Sequence, residues 1–168
     1  MVIRDWSSDV CSSDLLAFAT IAFGLWDIFY YVFLRVMTPW PQSILDWDIL
    51  FLLPLPWWGP VLAPASIALL MIAGGTLVVS RDAPGRPSWP SRMTLSIGLV
   101  GVGLALYVFM ADAIRVAGQG IDALRTLLPE SFNWPLFLVA WLLMATPVVE
   151  LAVRLGKNVD SHDRMSGS

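Results

Sequence analysis

The chain has 168 residues, of which 57% are apolar and only 14% are charged, and its mean hydropathy is +0.71. A soluble domain carries about a quarter charged residues, so this composition excludes an ordinary water-soluble enzyme or binding domain. The formal net charge of −3 comes with no cluster of basic residues that would bind nucleic acid. The charges lie in short connections between long apolar segments, which indicates a polytopic membrane protein.

The first fifteen residues differ in origin from the rest. Residues 5–15, DWSSDVCSSDL, resemble a translated sequencing adapter over eleven consecutive positions. We therefore expect residues 1–15 to be an artifact that stands in place of the native N-terminus. The alternative, a short polar tail, carries no function either. The chain's one cysteine, Cys11, belongs to this segment, so the remainder has no thiolate nucleophile, disulfide or cysteine metal ligand.

Four apolar segments predict four membrane-spanning helices, at residues 16–36, 60–79, 93–110 and 135–153. A helix of twenty residues rises about 30 Å, which is the thickness of the bilayer hydrocarbon. Segments in lipid must be helical because every backbone polar group needs an internal partner. The sequence thus predicts an all-α fold, with a single four-helix domain over 16–155 and a disordered cytoplasmic tail over 156–168.

The basic residues predict the orientation. Six lie on one side of the predicted membrane, namely Arg81, Arg86, Arg92, Arg154, Lys157 and Arg164, and three lie on the other, namely Arg35, Arg115 and Arg125. Basic residues favour the cytoplasmic side. We therefore expect a multi-pass protein of the bacterial inner membrane with its C-terminus in the cytoplasm.

The stretch before the second span, LDWDILFLLPLPWWGPVLAP at residues 45–64, is apolar but cannot form one regular helix. Pro54, Pro56 and Pro60 each lack an N–H and clash with the preceding turn. We predict a proline-broken interfacial or re-entrant segment. Its tryptophans, including Trp57 and Trp58, are open to two interpretations. One is an aromatic belt at the membrane surface. The other is a short re-entrant element over residues 49–58 that roofs the bundle beside an outer-leaflet ligand or partner surface, with Asp46 and Asp48 at its polar rim.

Asp27 lies near the middle of the first span, where a carboxylate costs about 2.5–3.5 kcal/mol on insertion scales. Helical spacing places Tyr30 and Tyr31 on the same side of the helix. A carboxylate beside two phenols could bind a polar ligand or relay a proton. The alternative interpretation is that Asp27 stays protonated, hydrogen-bonds to a neighbouring helix and so fixes the packing.

Two further patterns predict packing contacts. Gly98, Gly101, Gly103 and Ala105 form a small-residue face on the third span, which lets helices approach closely. Glu150 and Arg154 have the i,i+4 spacing of a helical ion pair.

The sequence offers little for catalysis. The one histidine, His162, lies in the tail, and there is no phosphate loop, dinucleotide fingerprint or Ser–His arrangement. We therefore expect no catalytic residue, metal or cofactor.

The leading hypothesis is a non-enzymatic membrane subunit or interaction partner, in contact with the lipid bilayer and with another membrane protein or a second copy. The alternative is a small transporter or channel component that uses Asp27 as a proton or ligand site. The residues proposed for ligand binding or packing are Asp27, Tyr30, Tyr31, Asp48, Trp57 and Trp58.

Overall fold

The computed structural model describes residues 12–53, 55–80, 89–117 and 131–166. These residues form four helices and one two-stranded antiparallel sheet. In chain order the elements are α1 (Ser12–Met37), β1 (Trp47–Phe51), β2 (Trp57–Pro60), α2 (Leu62–Val79), α3 (Arg92–Val116) and α4 (Trp134–Ser166).

The prediction of four membrane-spanning helices is confirmed. The helical stretches that are long and apolar enough to cross a bilayer are Asp14–Met37, Leu62–Val79, Arg92–Val116 and Trp134–Gly156. Many of their large apolar side chains are exposed on the protein surface, with Phe18, Leu99 and Leu142 all more than half exposed. The chain is a multi-pass membrane protein, whose exposed apolar surface is solvated by lipid.

Both ends of the helical domain differ in detail from the prediction. Helix α1 begins at Ser12, so it includes the last four residues of the adapter-like segment, and residues 1–11 lie outside the described residues. Helix α4 continues to Ser166, through most of the stretch predicted to be a disordered tail. In the sequence no proline follows Pro147 to end this helix. The arginine-containing connection 81–88 lies outside the described residues.

The helices are neighbours in the order α1, α2, α4, α3. Among the described residues, no Cα atom of α1 lies within 8 Å of a Cα atom in α3 or α4. The arrangement is therefore open between α1 and α3. We call the end that carries the sheet the hairpin end, and the other the opposite end.

Glycines allow α1 to pack closely on α2, and α3 to pack closely on α4. A Cβ on Gly75 of α2 would come 2.8 Å from the carbonyl oxygen of Ala17 in α1, and a Cβ on Gly101 of α3 would come 2.7 Å from that of Ala140 in α4. Contacts this short are available only to a residue without a side chain. The predicted small-residue face thus packs inside the protein at Gly101, whereas Gly103 has no atom within 4 Å of its Cβ position.

The proline-rich stretch forms a β-hairpin, which the sequence analysis did not predict. Strands β1 and β2 pair antiparallel, with Asp48 opposite Gly59 and Ile49 opposite Trp58, and an irregularity follows Ile49. The turn region contains Pro56, and Pro60 ends β2, so neither proline interrupts the middle of a strand. The prolines exclude a continuous helix here. The N–H and C=O groups of the two strands pair with each other instead.

The hairpin packs on the main hydrophobic core. This core contains Ala63 of α2, Ala105 and Phe109 of α3, and Phe137 and Ala140 of α4, and Leu50 and Trp57 of the hairpin pack against it. A Cβ on Gly59 would lie 2.8 Å from a ring atom of Phe109. The hairpin is thus anchored on the side formed by α2, α3 and α4.

Candidate ligand-binding site

A cavity of about 440 Å³ lies under the hairpin, in the gap between α1 and α3. Its walls come from α1, the hairpin, α2 and α3, together with Met144 of α4. Five of the six residues proposed from the sequence line it, namely Asp27, Tyr30, Tyr31, Asp48 and Trp57. Trp58 is not among the lining residues.

Helix α1 supplies the polar wall of the cavity. Its lining side chains are Phe23, Trp26, Asp27, Tyr30 and Tyr31. They share one side of the helix because residues three and four apart are neighbours on its surface. The rings of Tyr30 and Tyr31 meet edge to face with centroids 5.3 Å apart. The carboxylate of Asp27 therefore lies among aromatic rings.

The carboxylate of Asp27 has no hydrogen-bond donor within the described part of the chain, although the residue is half-buried. The alternative predicted from the sequence, a hydrogen bond to a neighbouring helix, is not present among these residues. An acid in a membrane span is costly, and this one lines the cavity. Asp27 is thus placed to receive a donor or a cation from a ligand.

Asp48 reaches the same cavity from the hairpin. Its Oδ2 accepts a hydrogen bond of 2.9 Å from the hydroxyl of Tyr31, whose side chain is buried with 7% exposure. The nearby Asp46 behaves differently, because its Oδ2 accepts bonds from the backbone N–H groups of Gln42 and Ser43 at 2.7 and 3.1 Å. Asp46 therefore stabilises the loop before β1, and Asp48 is the acid that faces the cavity.

The two tryptophans of β2 have separate positions. Trp57 lines the cavity and packs edge to face on Phe51 with centroids 5.1 Å apart. The indole nitrogens of both Trp57 and Trp58 are buried without a hydrogen-bond partner among the described residues. The rings therefore contribute apolar and aromatic surface, and neither N–H is tied to the protein.

The remaining wall of the cavity is apolar. Helix α2 contributes Pro64, Ile67, Ala68 and Met71, and α3 contributes Val102, Ala105, Leu106 and Phe109. Among the described residues, no Lys, Arg or His lines the cavity. Arg35, the basic residue near the end of α1, donates instead to the backbone oxygen of Pro39 at 3.1 Å. The described part of the chain thus places no cationic side chain beside the two carboxylates.

A second, smaller cavity of about 210 Å³ lies toward the opposite end. Its lining includes Thr20 of α1, Gly74 of α2, and Pro147 and Leu151 of α4. No acidic or basic side chain lines it within the described residues. It is therefore an apolar space.

The main cavity combines acidic and phenolic groups with apolar walls. Two carboxylates and two phenols provide hydrogen-bond acceptors and negative charge inside an aromatic and aliphatic enclosure. Among the described residues there is no group of three His, Cys, Asp or Glu side chains that could hold a metal ion. The size of the cavity falls within the range of small-molecule sites, about 300–1,000 Å³.

Comparisons with protein families, with curated proteins and with solved structures found no match for this chain.

Sequence reasoning missed the far wall of the cavity. Val102 and Phe109 on α3, and Met71 and Met144 on α2 and α4, are apolar residues in apolar helices. Nothing in such a segment distinguishes a residue that faces a cavity from one that faces lipid or the core. Only the acidic and aromatic residues of α1 and the hairpin could be recognised from the sequence as candidate site residues.

Proposed function

We propose that this chain is a non-enzymatic membrane subunit that binds an organic cation in the cavity under the hairpin. The observation that carries the proposal is the placement of Asp27 and Asp48 in one apolar cavity that no basic side chain lines among the described residues. In this proposal the positive charge of the ligand compensates the two acids, which are costly to place in a membrane protein interior.

The electrostatics favour a cation. Two carboxylates in an enclosure of low polarity repel each other, and a positive charge between them relieves both that repulsion and their desolvation. An anionic ligand would add a third negative charge. A neutral ligand would leave the carboxylate of Asp27 without compensation.

The aromatic lining favours an organic cation over a metal ion. Tyr30, Tyr31, Trp26 and Trp57 present rings to the same space. Aromatic faces attract ammonium groups, with a contribution of about 0.5–2 kcal/mol depending on how well water is excluded. A hard metal ion prefers several free carboxylate or carbonyl oxygens, whereas here one Asp48 oxygen is already bonded to the hydroxyl of Tyr31.

The test uses the protein in nanodiscs of zwitterionic lipid, with empty nanodiscs as the blank. The probes are tetraphenylphosphonium and tetraphenylborate, which have the same size and shape but opposite charge. We expect the protein to bind the cation above the blank and not the anion. Asp27→Asn should weaken cation binding about tenfold, equivalent to about 1.4 kcal/mol.

The matched control is Asp112→Asn. Asp112 is also an aspartate on a spanning helix, but its Oδ1 lies 3.2 Å from Arg115 and away from the cavity. We expect this variant to bind the cation as the unmodified protein does. Equal binding of the two probes, or unchanged affinity in Asp27→Asn, would overturn the proposal.

Transport is a second candidate function, favoured by the position of Asp27 halfway along a membrane-spanning helix with no hydrogen-bond donor among the described residues. A transporter should carry the labelled cation into proteoliposomes, with Asp27→Asn abolishing the flux while the protein stays folded. Binding of the cation without any flux would contradict transport and would support a binding subunit.

The orientation in the membrane and the presence of a partner are part of the same proposal. The excess of basic residues at the opposite end supports a C-terminus in the cytoplasm and a hairpin on the outer face of an inner membrane. A partner protein or second copy is the natural companion of a binding subunit. Mass spectrometry of the complex released by mild detergent would test it, since a stoichiometric second protein supports a subunit and a lone chain contradicts one.

A further inference from the structure

The two cavities share a wall. Ile67 and Met71 of α2 and Met144 of α4 line both the acidic cavity under the hairpin and the apolar cavity toward the opposite end. These three side chains are thus all that the two linings have in common. A ligand that moved them aside would reach from one cavity into the other.

The shared wall is made of adaptable side chains. Methionine is unbranched and has three rotatable bonds, so it changes shape at lower cost than a branched or aromatic residue. Two of the three wall residues are methionines, on facing helices. The space beyond them contains no charged side chain among the described residues, so it suits hydrocarbon and not a second polar group.

The dimensions suit an elongated ligand. Along α1, Asp27 lines the first cavity and Ala17 lines the second. They are ten residues apart, which is about 15 Å along the helix. Such a span exceeds a compact cation and matches a head group with a long chain.

The open side of the arrangement indicates where such a ligand comes from. The first cavity is lined by both α1 and α3, which do not pack against each other in the described structure. Lining residues on both sides of the gap are exposed, with Trp26 at 64% and Val102 at 39%. In a membrane this gap opens toward lipid, so an amphiphile dissolved in the bilayer can enter sideways.

We propose that the ligand is a long-chain ammonium amphiphile taken from the bilayer. Its head group lies beside Asp27 and Asp48, and its hydrocarbon chain passes Ile67, Met71 and Met144 into the second cavity. This inference rests on the proposed function, because it names the cation that the acidic cavity binds and adds the site for its chain.

The first test measures chain-length preference. Octyl-, dodecyl- and hexadecyltrimethylammonium compete with labelled tetraphenylphosphonium for the protein in nanodiscs. In Met71→Trp and Met144→Trp the larger indole fills the shared wall. We expect both variants to lose more affinity for the hexadecyl compound than for the octyl compound, so that the ratio of the two affinities falls about tenfold relative to the unmodified protein.

The control variant separates this effect from partition into lipid. Leu142→Trp places the same ring on α4 at a side chain that is 61% exposed and lines neither cavity. It should keep the chain-length preference of the unmodified protein. The same preference in the wall variants and in Leu142→Trp would overturn the inference.

The second test needs no wall variant. A dodecylammonium compound with a diazirine at the end of its chain is photo-crosslinked to the unmodified protein, and the labelled peptides are identified by mass spectrometry. Labels on residues 74–78 of α2 or 147–151 of α4 would support the inference. Labels confined to the hairpin or to lipid-facing residues such as Leu142 would contradict it.

Different results would overturn the proposed cation site and the proposed site for the hydrocarbon chain. If Asp27→Asn weakens cation binding but chain length and crosslinks show no use of the second cavity, the cation site stands and the chain site falls. If tetraphenylphosphonium and tetraphenylborate bind alike, the cation site itself falls, and the amphiphile proposal falls with it.

Discussion

Tyr31 and Asp48 join α1 to the hairpin through one hydrogen bond of 2.9 Å. No Cα atom of either strand lies within 8 Å of a Cα atom of α1 in the described structure, so this bond bridges the gap that holds the cavity. On its other side the hairpin packs firmly on the core through Leu50 and Trp57. The hairpin is thus fixed to α2 and α3 and tied to α1 by polar side chains that line the cavity.

Tyr31→Phe should loosen this tie without unfolding the protein. Loss of the hydrogen bond to Asp48 should lower the free energy of unfolding by about 1 kcal/mol. Backbone amides of Trp47 to Phe51 should then exchange hydrogen faster, because β1 has lost its link to α1. Hydrogen exchange followed by mass spectrometry measures the change.

The control for this prediction is Tyr30→Phe. Tyr30 lies on the same face of α1, but its ring is 45% exposed and no described residue accepts a bond from its hydroxyl. Exchange in β1 should stay as in the unmodified protein. Equal acceleration in the two variants would show that the bond between Tyr31 and Asp48 does not hold the hairpin.

Gly101→Ala should destabilise the pairing of α3 with α4. The added Cβ would come 2.7 Å from the Ala140 oxygen and 2.8 Å from the Met144 nitrogen, which are backbone atoms that cannot rotate away. We expect the free energy of unfolding to fall by about 1–3 kcal/mol, as for other overpacked sites. Denaturant titration in mixed micelles measures it.

Gly103→Ala is the matched control in the same helix. No atom lies within 4 Å of its Cβ position, so the substitution meets open space. Alanine is favoured over glycine within a helix by about 1 kcal/mol, so this variant should be neutral or slightly more stable. A loss equal to that of Gly101→Ala would mean that the two positions do not differ in packing.

The four spans were predictable because hydrophobic length is a property of each segment alone. Segments 16–36 and 60–79 had to be helices in lipid whatever they packed against. The small-residue face was also visible, but the sequence could not tell that Gly101 contacts α4 while Gly103 does not. That distinction depends on which side of α3 faces α4, and α3 is apolar on all sides.

The candidate site could be predicted only as separate residues. Asp27 was identified by its cost in a membrane span, and Asp48 as the rim of the proline-rich stretch. They share a cavity because α1 and the hairpin face each other across a gap, which is a tertiary relationship. The hairpin itself was missed because Pro54, Pro56 and Pro60 report where a helix cannot form and not what forms instead.

Glu150→Ala should lower the thermal stability of the membrane domain. The predicted ion pair with Arg154 is confirmed, and the structure adds partners on α3. Glu150 Oε2 accepts bonds from the backbone N–H of Ser91 at 3.0 Å and from the hydroxyl of Thr94. One side chain of α4 thus caps the start of α3, and alanine would leave the N–H of Ser91 unpaired.

The measurement compares the thermal unfolding midpoint of Glu150→Ala with that of the control variant Asp112→Ala. Asp112 also forms an ion pair within one helix, with Arg115, but Arg115 is exposed and no other described helix bonds to this pair. The midpoint should fall clearly more in Glu150→Ala. Glu150→Gln should recover part of the loss, since its amide oxygen still accepts from Ser91. Equal midpoints in the two alanine variants would contradict a cap between helices.

Trp58→Phe and Trp141→Phe should differ although both remove an indole N–H. Trp58 Nε1 is buried without a partner among the described residues, so its loss relieves an unsatisfied donor. Trp141 Nε1 donates to the Ser66 oxygen at 3.3 Å and links α4 to α2. We expect Trp141→Phe to lower the free energy of unfolding by about 1 kcal/mol more than Trp58→Phe. Denaturant titration of both variants in the same micelles measures this difference. Because both substitutions shrink the ring equally, the reverse order would mean that the hydrogen bond from Trp141 does not stabilise the contact between α2 and α4.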